Sequence, residues 1–315
     1  MSRIGRSHIR SMIEKRPSLA VVLMILMGSV GCKDTSASPP TTIVVRLAPG
    51  TSAPQLRETI SRLPHVSVRE VDMSGSIARL RGLRDGTIDL AAVQGNVSYL
   101  SLVGQLRSEA PFTELRAVAV LGLNVIHLFV REDLSPEVTS ASQLRGLTVN
   151  LGQRDSGTAL IAQLSLKAAG VELADIRSEF IPSESALKRL TAGDIDATFA
   201  VFVPETNKTP IRGARLVELD GPGFEHLRLQ QPFVSRTLIP RATYPHQDRA
   251  IWTIAVDSVL VCHSRLDSDL VTQVLESYFA RLGRSTAFDL ERASLTSIPL
   301  HPAAARFFRR RELLR

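Results

Sequence analysis

A ten-residue pattern, L-x-x-L-x-x-G-x-I-D, occurs twice in this 315-residue chain. The first copy is Leu80-Arg-Gly-Leu83-Arg-Asp-Gly86-Thr-Ile88-Asp89. The second, 107 residues later, is Leu187-Lys-Arg-Leu190-Thr-Ala-Gly193-Asp-Ile195-Asp196. Leucines three apart mark the buried stripe of a short helix. A glycine after that stripe supplies the left-handed residue that ends it. Ile-Asp then opens an apolar run, Leu90-Ala-Ala-Val93 in one copy and Ala197-Thr-Phe-Ala-Val201 in the other. Each copy therefore reads as helix, tight turn and buried strand. Two such units far apart in sequence predict two similar α/β lobes with a cleft between them.

The N-terminal stretch reads as a targeting segment rather than part of the fold. Arg3, Arg6, Arg10, Lys15 and Arg16 form a basic region, and residues 19–30 form an apolar run too short to span a bilayer comfortably. Small residues then precede Cys32, in the manner of a lipoprotein processing site. The expected division is a signal peptide over 1–31, with Cys32 lipidated, and a flexible polar tether over 32–42. Ordinary cleavage nearby, leaving Cys32 a spare thiol, is the alternative. The leader carries five basic residues and one acidic residue, so the formal charge of +7 falls to +3 without it. That balance, together with export, argues against a nucleic-acid partner. With Cys32 acylated, Cys262 has no cysteine to pair with; its apolar surroundings make it a buried small hydrophobe.

Along the mature chain, short apolar segments alternate with helical ones, which favours an α/β fold with a parallel or mixed sheet. Strands are expected over 43–47, 66–71, 115–121, 125–130, 147–151, 216–219, 234–239 and 252–262. Helices are expected over 53–63, 159–169 and 270–282. The first lobe is read as 43–131, the second as 132–238, and 239–315 as a return to the first with C-terminal helices. Two crossings between lobes make a hinge.

Gly152-Gln-Arg-Asp-Ser-Gly-Thr158 joins a strand to a helix, and there unpaired N–H groups and the helix dipole can hold an anion. Arg154, Ser156, Gly157 and Thr158 are its candidate ligand contacts; a simple helix cap is the competing reading. Gly50, Thr51 and Ser52 occupy the matching place in the first lobe. Gln94 and Asn96 follow the strand of the first repeat, where open α/β sheets line their crevices. Asn124, Phe202 and Tyr244 are weaker candidates of the same kind. No histidine spacing matches a metal site, no cofactor motif is present, and no nucleophile or acid–base set stands out. An enzyme is thus disfavoured.

These residues carry a resemblance. Gly86-Thr-Ile-Asp-Leu-Ala-Ala-Val-Gln94, Val149-Asn-Leu-Gly-Gln-Arg-Asp-Ser-Gly-Thr158, Leu166-Lys-Ala-Ala-Gly-Val171, Gly193-Asp-Ile-Asp-Ala197, Ile239-Pro-Arg-Ala-Thr-Tyr-Pro245, Val256-Asp-Ser-Val-Leu-Val261 and Ile298-Pro-Leu-His-Pro302 follow in the same order as in TAXI-type solute-binding subunits of TRAP (tripartite ATP-independent periplasmic) transporters. The resemblance covers residues 43–310. It implies a two-lobed periplasmic binding protein fold of the class II type with two interlobe crossovers. It also implies capture of a small carboxylate, such as an amino acid or dicarboxylate, for delivery to TRAP membrane permease subunits. The chain departs from the family at Ala48-Pro-Gly-Thr-Ser52, which lacks the usual aromatic residue, and at Arg154-Asp155, where small residues are usual. A sensory receptor, or a receptor for an ATP-driven importer, is the alternative.

Overall fold

The computed structural model describes residues 42–49, 55–107, 109–134, 136–202, 211–244, 247–282 and 290–312. Cys32 and the loop residues Gly50, Thr51 and Ser52 lie outside these. The chain runs β1 (Ile43–Ala48), α1 (Gln55–Ser61), β2 (Val66–Glu70), α2 (Ser76–Arg84), β3 (Leu90–Gln94), α3 (Gly95–Leu102) and β4 (Leu115–Arg131). It continues through β5 (Thr148–Asn150), α4 (Gly157–Ala168), β6 (Arg177–Glu179), α5 (Ser183–Ala192), β7 (Ala197–Phe202), β8 (Ala214–Val217), α6 (Pro222–Gln230) and β9 (Val234–Ile239). β10 (Ile251–His263), α7 (Ser268–Leu282), α8 (Leu290–Ser294) and α9 (Pro302–Glu312) complete it.

Both copies of the repeat fold as helix, glycine turn and strand. Gly86 and Gly193 have φ of 76° and 84°, left-handed values that a side chain would strain. Leu80, Leu83 and Leu190 are buried under their helices. The terminal aspartates do the same work twice. Asp89 Oδ2 accepts the backbone N–H of Arg46 in β1 at 2.8 Å, and Asp196 Oδ2 accepts that of Thr148 in β5 at 2.8 Å. Each carboxylate thus clips the start of its own strand to a parallel neighbour, β3 to β1 and β7 to β5. Arginines finish both turns: Arg46 Nη1 donates to the carbonyl of Gly86, and Arg131 Nη1 to that of Gly193.

The strand order is β2-β1-β3-β10-β4-β7-β5-β6, with β8 beside β4 and β9 beside β10. β2, β1 and β3 are mutually parallel, and so are β6, β5 and β7. The two trios are joined by the long antiparallel pair β4 and β10. The sheet is therefore two copies of one half-sheet sharing two strands. Residues 115–130 were expected as two strands, but β4 is one strand of 17 residues. The Gly122-Leu-Asn124 stretch that reads as a break pairs with β10 instead, Gly122 opposite Ser258 and Asn124 opposite Val256. A polar, glycine-bearing patch here marks the passage from one half-sheet to the other, where bulges interrupt the β10 register.

Each half is covered on both faces, as parallel strands require. On one side of the first half, Leu56, Ile60, Val271, Leu275, Phe307 and Phe308 from α1, α7 and α9 pack together. On its other side lie Ile77, Leu80, Leu83 and Val97 from α2 and α3. The second half packs Ile161, Leu166, Phe224 and Leu227 of α4 and α6 on one face, and Ala186 and Leu190 of α5 on the other. Tyr99 and Leu100 of α3 touch the cores of both halves. Cys262 is fully buried, and burial pushes its thiol up to about 12, which keeps it an inert hydrophobe.

Candidate functional site

The loop before α4 takes the cap geometry. Ser156 is the N-cap residue, its hydroxyl accepting the N–H of Ala159 at 3.1 Å. Asp155 and Gly152 hold positive φ, 59° and 95°, and turn the chain sharply into the helix. The start of α4 abuts the start of α3. Asn96 Nδ2 donates to the carbonyl of Gly157 at 2.9 Å, a bond 61 residues apart in sequence. A Cβ on Gly157 would come within 2.4 Å of Gln94 Oε1 and 2.9 Å of Val97 Cγ2. Gln94, Asn96, Ser156, Gly157 and Thr158, all candidates from sequence, are thereby drawn to one seam. Gln94 Oε1 and Asn96 Oδ1 are enclosed there and have no donor. Two orphaned amide oxygens are costly unless a donor reaches them.

The other candidates lie apart from that seam or serve other partners. Arg154 sits over the ring of Phe180, 4.3 Å from its centroid. Asn124 Nδ2 faces the backbone carbonyl of Asp257 at 3.5 Å, in the region where β4 and β10 join the halves. Burial raises the Asp257 carboxyl from its ordinary value, and Arg292, 3.2 Å away, offsets this only in part. Phe202 and Tyr244 surround His127. The Tyr244 hydroxyl donates to His127 Nε2 at 2.9 Å, because Nδ1 faces the carbonyl of Val125 at 3.0 Å and so carries the ring proton. Burial holds His127 down to about 4, so the ring is neutral at ordinary pH. Tyr244 also borders a cavity of about 440 Å³ with Phe129, Arg215, Gln247 and Arg249.

A cavity of about 380 Å³ opens at the carboxyl ends of β1 and β2, lined by Ala48, Pro49, Glu70, Val71, Asp72, Met73 and Arg79. This is where open α/β sheets receive ligands. Met73 forms a wall seated on Gly82, whose Cβ would lie 2.7 Å from the Met73 methyl. Arg79, on α2, donates from Nη1 to the carbonyl of Ala92 at 3.1 Å, and its enclosed Nε has no acceptor. Burial lowers its pKa, and Asp72 partly offsets the shift. Sequence reading passed over Arg79. The signal was a cation among the apolar residues of the first repeat helix, in Ser76-Ile-Ala-Arg79-Leu80. Among the described residues no cluster of metal-ligating side chains occurs, and no helix is long and apolar enough to cross a membrane.

Comparison with known proteins follows the same lines. The model of the NMT1-like family matches residues 55–311. The alkanesulfonate-binding protein SsuA from Xanthomonas axonopodis pv. citri, solved bound to MOPS, superposes with a TM-score of 0.50 at 16% identity, over 86% of this chain and 85% of that one. A putative L-cystine ABC transporter protein from Listeria monocytogenes reaches 0.48 at 16% identity, over 76% and 89%. The fold is thus the two-lobed periplasmic binding protein fold of the class II type, with two interlobe crossovers.

Proposed function

This chain belongs to the NMT1-like family, matched over residues 55–311, and on that premise we propose that it is an extracytoplasmic solute receptor. It captures a small carboxylate between two lobes and hands it to TRAP-type membrane permease subunits. The observation that carries this reading is the pair of half-sheets joined through β4 and β10, each built on a parallel trio of strands. Such an arrangement bends at the shared strands and closes on a ligand. The bending points lie inside β4 and β10, ahead of residue 131 and beyond residue 238, where the sequence reading divides the lobes. TRAP delivery and the carboxylate class rest on the TAXI resemblance of the ordered motifs. The N-terminus of α4 adds a partial positive charge suited to an anion.

In this reading the ligand contacts come from Gln94, Asn96, Asn124, Arg154, Ser156, Gly157, Thr158, Phe202 and Tyr244, and from Gly50, Thr51 and Ser52, which lie outside the described residues. The protein performs no covalent chemistry and needs no cofactor. Cys32 carries the lipid that anchors it at the periplasmic or outer cell surface. A thermal-shift screen of small carboxylates and amino acids tests the receptor reading. A ligand at a hundredfold excess over its Kd stabilises by about 2.7 kcal/mol. A panel that leaves the melting temperature unmoved refutes it.

A further inference from the structure

We propose that Arg79 and Asp72 are the specificity-determining pair of the 380 Å³ cavity, selecting a zwitterion over a dicarboxylate. This rests on the receptor reading above and deepens it. Among the described residues the cavity is bordered by one cation, Arg79, and two carboxylates, Glu70 and Asp72. Glu70 is already paired, 3.5 Å from Arg57. Arg79 has no ion pair among the described residues, although it is partly desolvated and Asp72 is near enough to act on it electrostatically. One guanidinium nitrogen is committed to Ala92, and Nε is enclosed without an acceptor. Opposite charges are thus held apart at one cavity.

A charge withdrawn from water without a partner is costly. A ligand carboxylate would compensate Arg79, and its fork geometry suits that pairing. The same ligand's ammonium would face Asp72. A dicarboxylate would meet Arg79 with one end and two acidic side chains with the other. Like charges brought together there disfavour it. The pair therefore reads both ends of an amino acid.

Calorimetry on the mature protein tests this, with the common L-amino acids as probes and, beside each, the analogue lacking the amino group, glutarate beside glutamate among them. The wild type is expected to bind at least one amino acid tenfold or more tightly than its deaminated analogue. Arg79→Gln should weaken that binding tenfold or more. Asp72→Asn should weaken the amino acid and strengthen the analogue, so that the preference collapses. Arg81→Gln, the same charge removed from the exposed face of the same helix, should change neither. Circular dichroism checks each fold, and Asp72→Asn decides the matter if Arg79→Gln does not fold. Equal affinity for amino acid and analogue, or a preference that survives Asp72→Asn, overturns this pair while leaving the receptor reading standing. Binding of neither probe class overturns both.

Discussion

His127 is held far below its ordinary value by burial. It stands on β4 in the second half-sheet, stacked on Phe129 and edge-on to Tyr244, with centroids 5.6 and 5.5 Å away. The folded ring stays neutral down to about pH 4, whereas the unfolded ring takes a proton near pH 6.5. Between these values the unfolded state binds more protons. Stability is therefore full above about pH 6.5, falls as the pH drops toward 4, and levels below it. The loss from this group amounts to roughly 3 kcal/mol. Urea melts from pH 4 to 8 should show it, and His127→Gln should flatten the slope. Tyr244→Phe removes the donor to Nε2 and should cost about 1–3 kcal/mol at neutral pH. Arg154 is different in kind. Its place over Phe180 is worth about 0.5–1 kcal/mol at an exposed site, so Arg154→Ala should lower stability only slightly. A large loss of affinity in that variant would show that the guanidinium leaves the ring for the ligand.

At the level of elements, the repeated helix-turn-strand units invite a paired test. Asp89 accepts from the Arg46 backbone and from its guanidinium at 3.0 and 2.6 Å. Asp196 accepts from the Thr148 backbone, while its arginines, Arg131 and Arg177, stand 3.6 and 3.8 Å off. Both alanine variants should lose stability, by about 1.5–3 kcal/mol for each charged hydrogen bond that has no replacement. Asp89→Ala should lose more, as chemical denaturation will show. The same comparison tells how legible the elements were. The glycine turns, the buried leucines and β9 were readable because each depends on local periodicity and backbone freedom. The continuity of β4 was not, because Gly122 and Asn124 look like a break until Ser258 and Val256 lie opposite them. Strand pairing of that kind links residues more than a hundred apart.

For the whole molecule, the seam between α3 and α4 is a contact between helices of the two halves. The Asn96–Gly157 bond ties the helix starts together. Asn96→Ala should therefore raise the radius of gyration of the unliganded protein in solution scattering, and a saturating ligand should bring it back. Gly157→Val should open the seam more, since its side chain would displace Gln94 and the less yielding Val97. An unchanged radius in both variants would place the stiffness in β4 and β10 instead. Mass spectrometry of the mature N-terminus should find a lipidated cysteine at residue 32; a free thiol there removes the anchor.

By itself the sequence determined the repeat, the alternation of helices and strands, the capped turn at Ser156 and the burial of Cys262. These follow from hydrophobic period and from the backbone preferences of glycine and serine, which act over a few residues. It also placed Gln94, Asn96 and Gly157 at strand and helix ends. Only the tertiary structure decided that these three meet across a seam, that Tyr244 serves His127, and that Arg79 faces a cavity beside Asp72. Those outcomes depend on which strand ends are brought side by side by β4 and β10. The pairing is set by the summed packing of two half-sheets, and no local pattern encodes it.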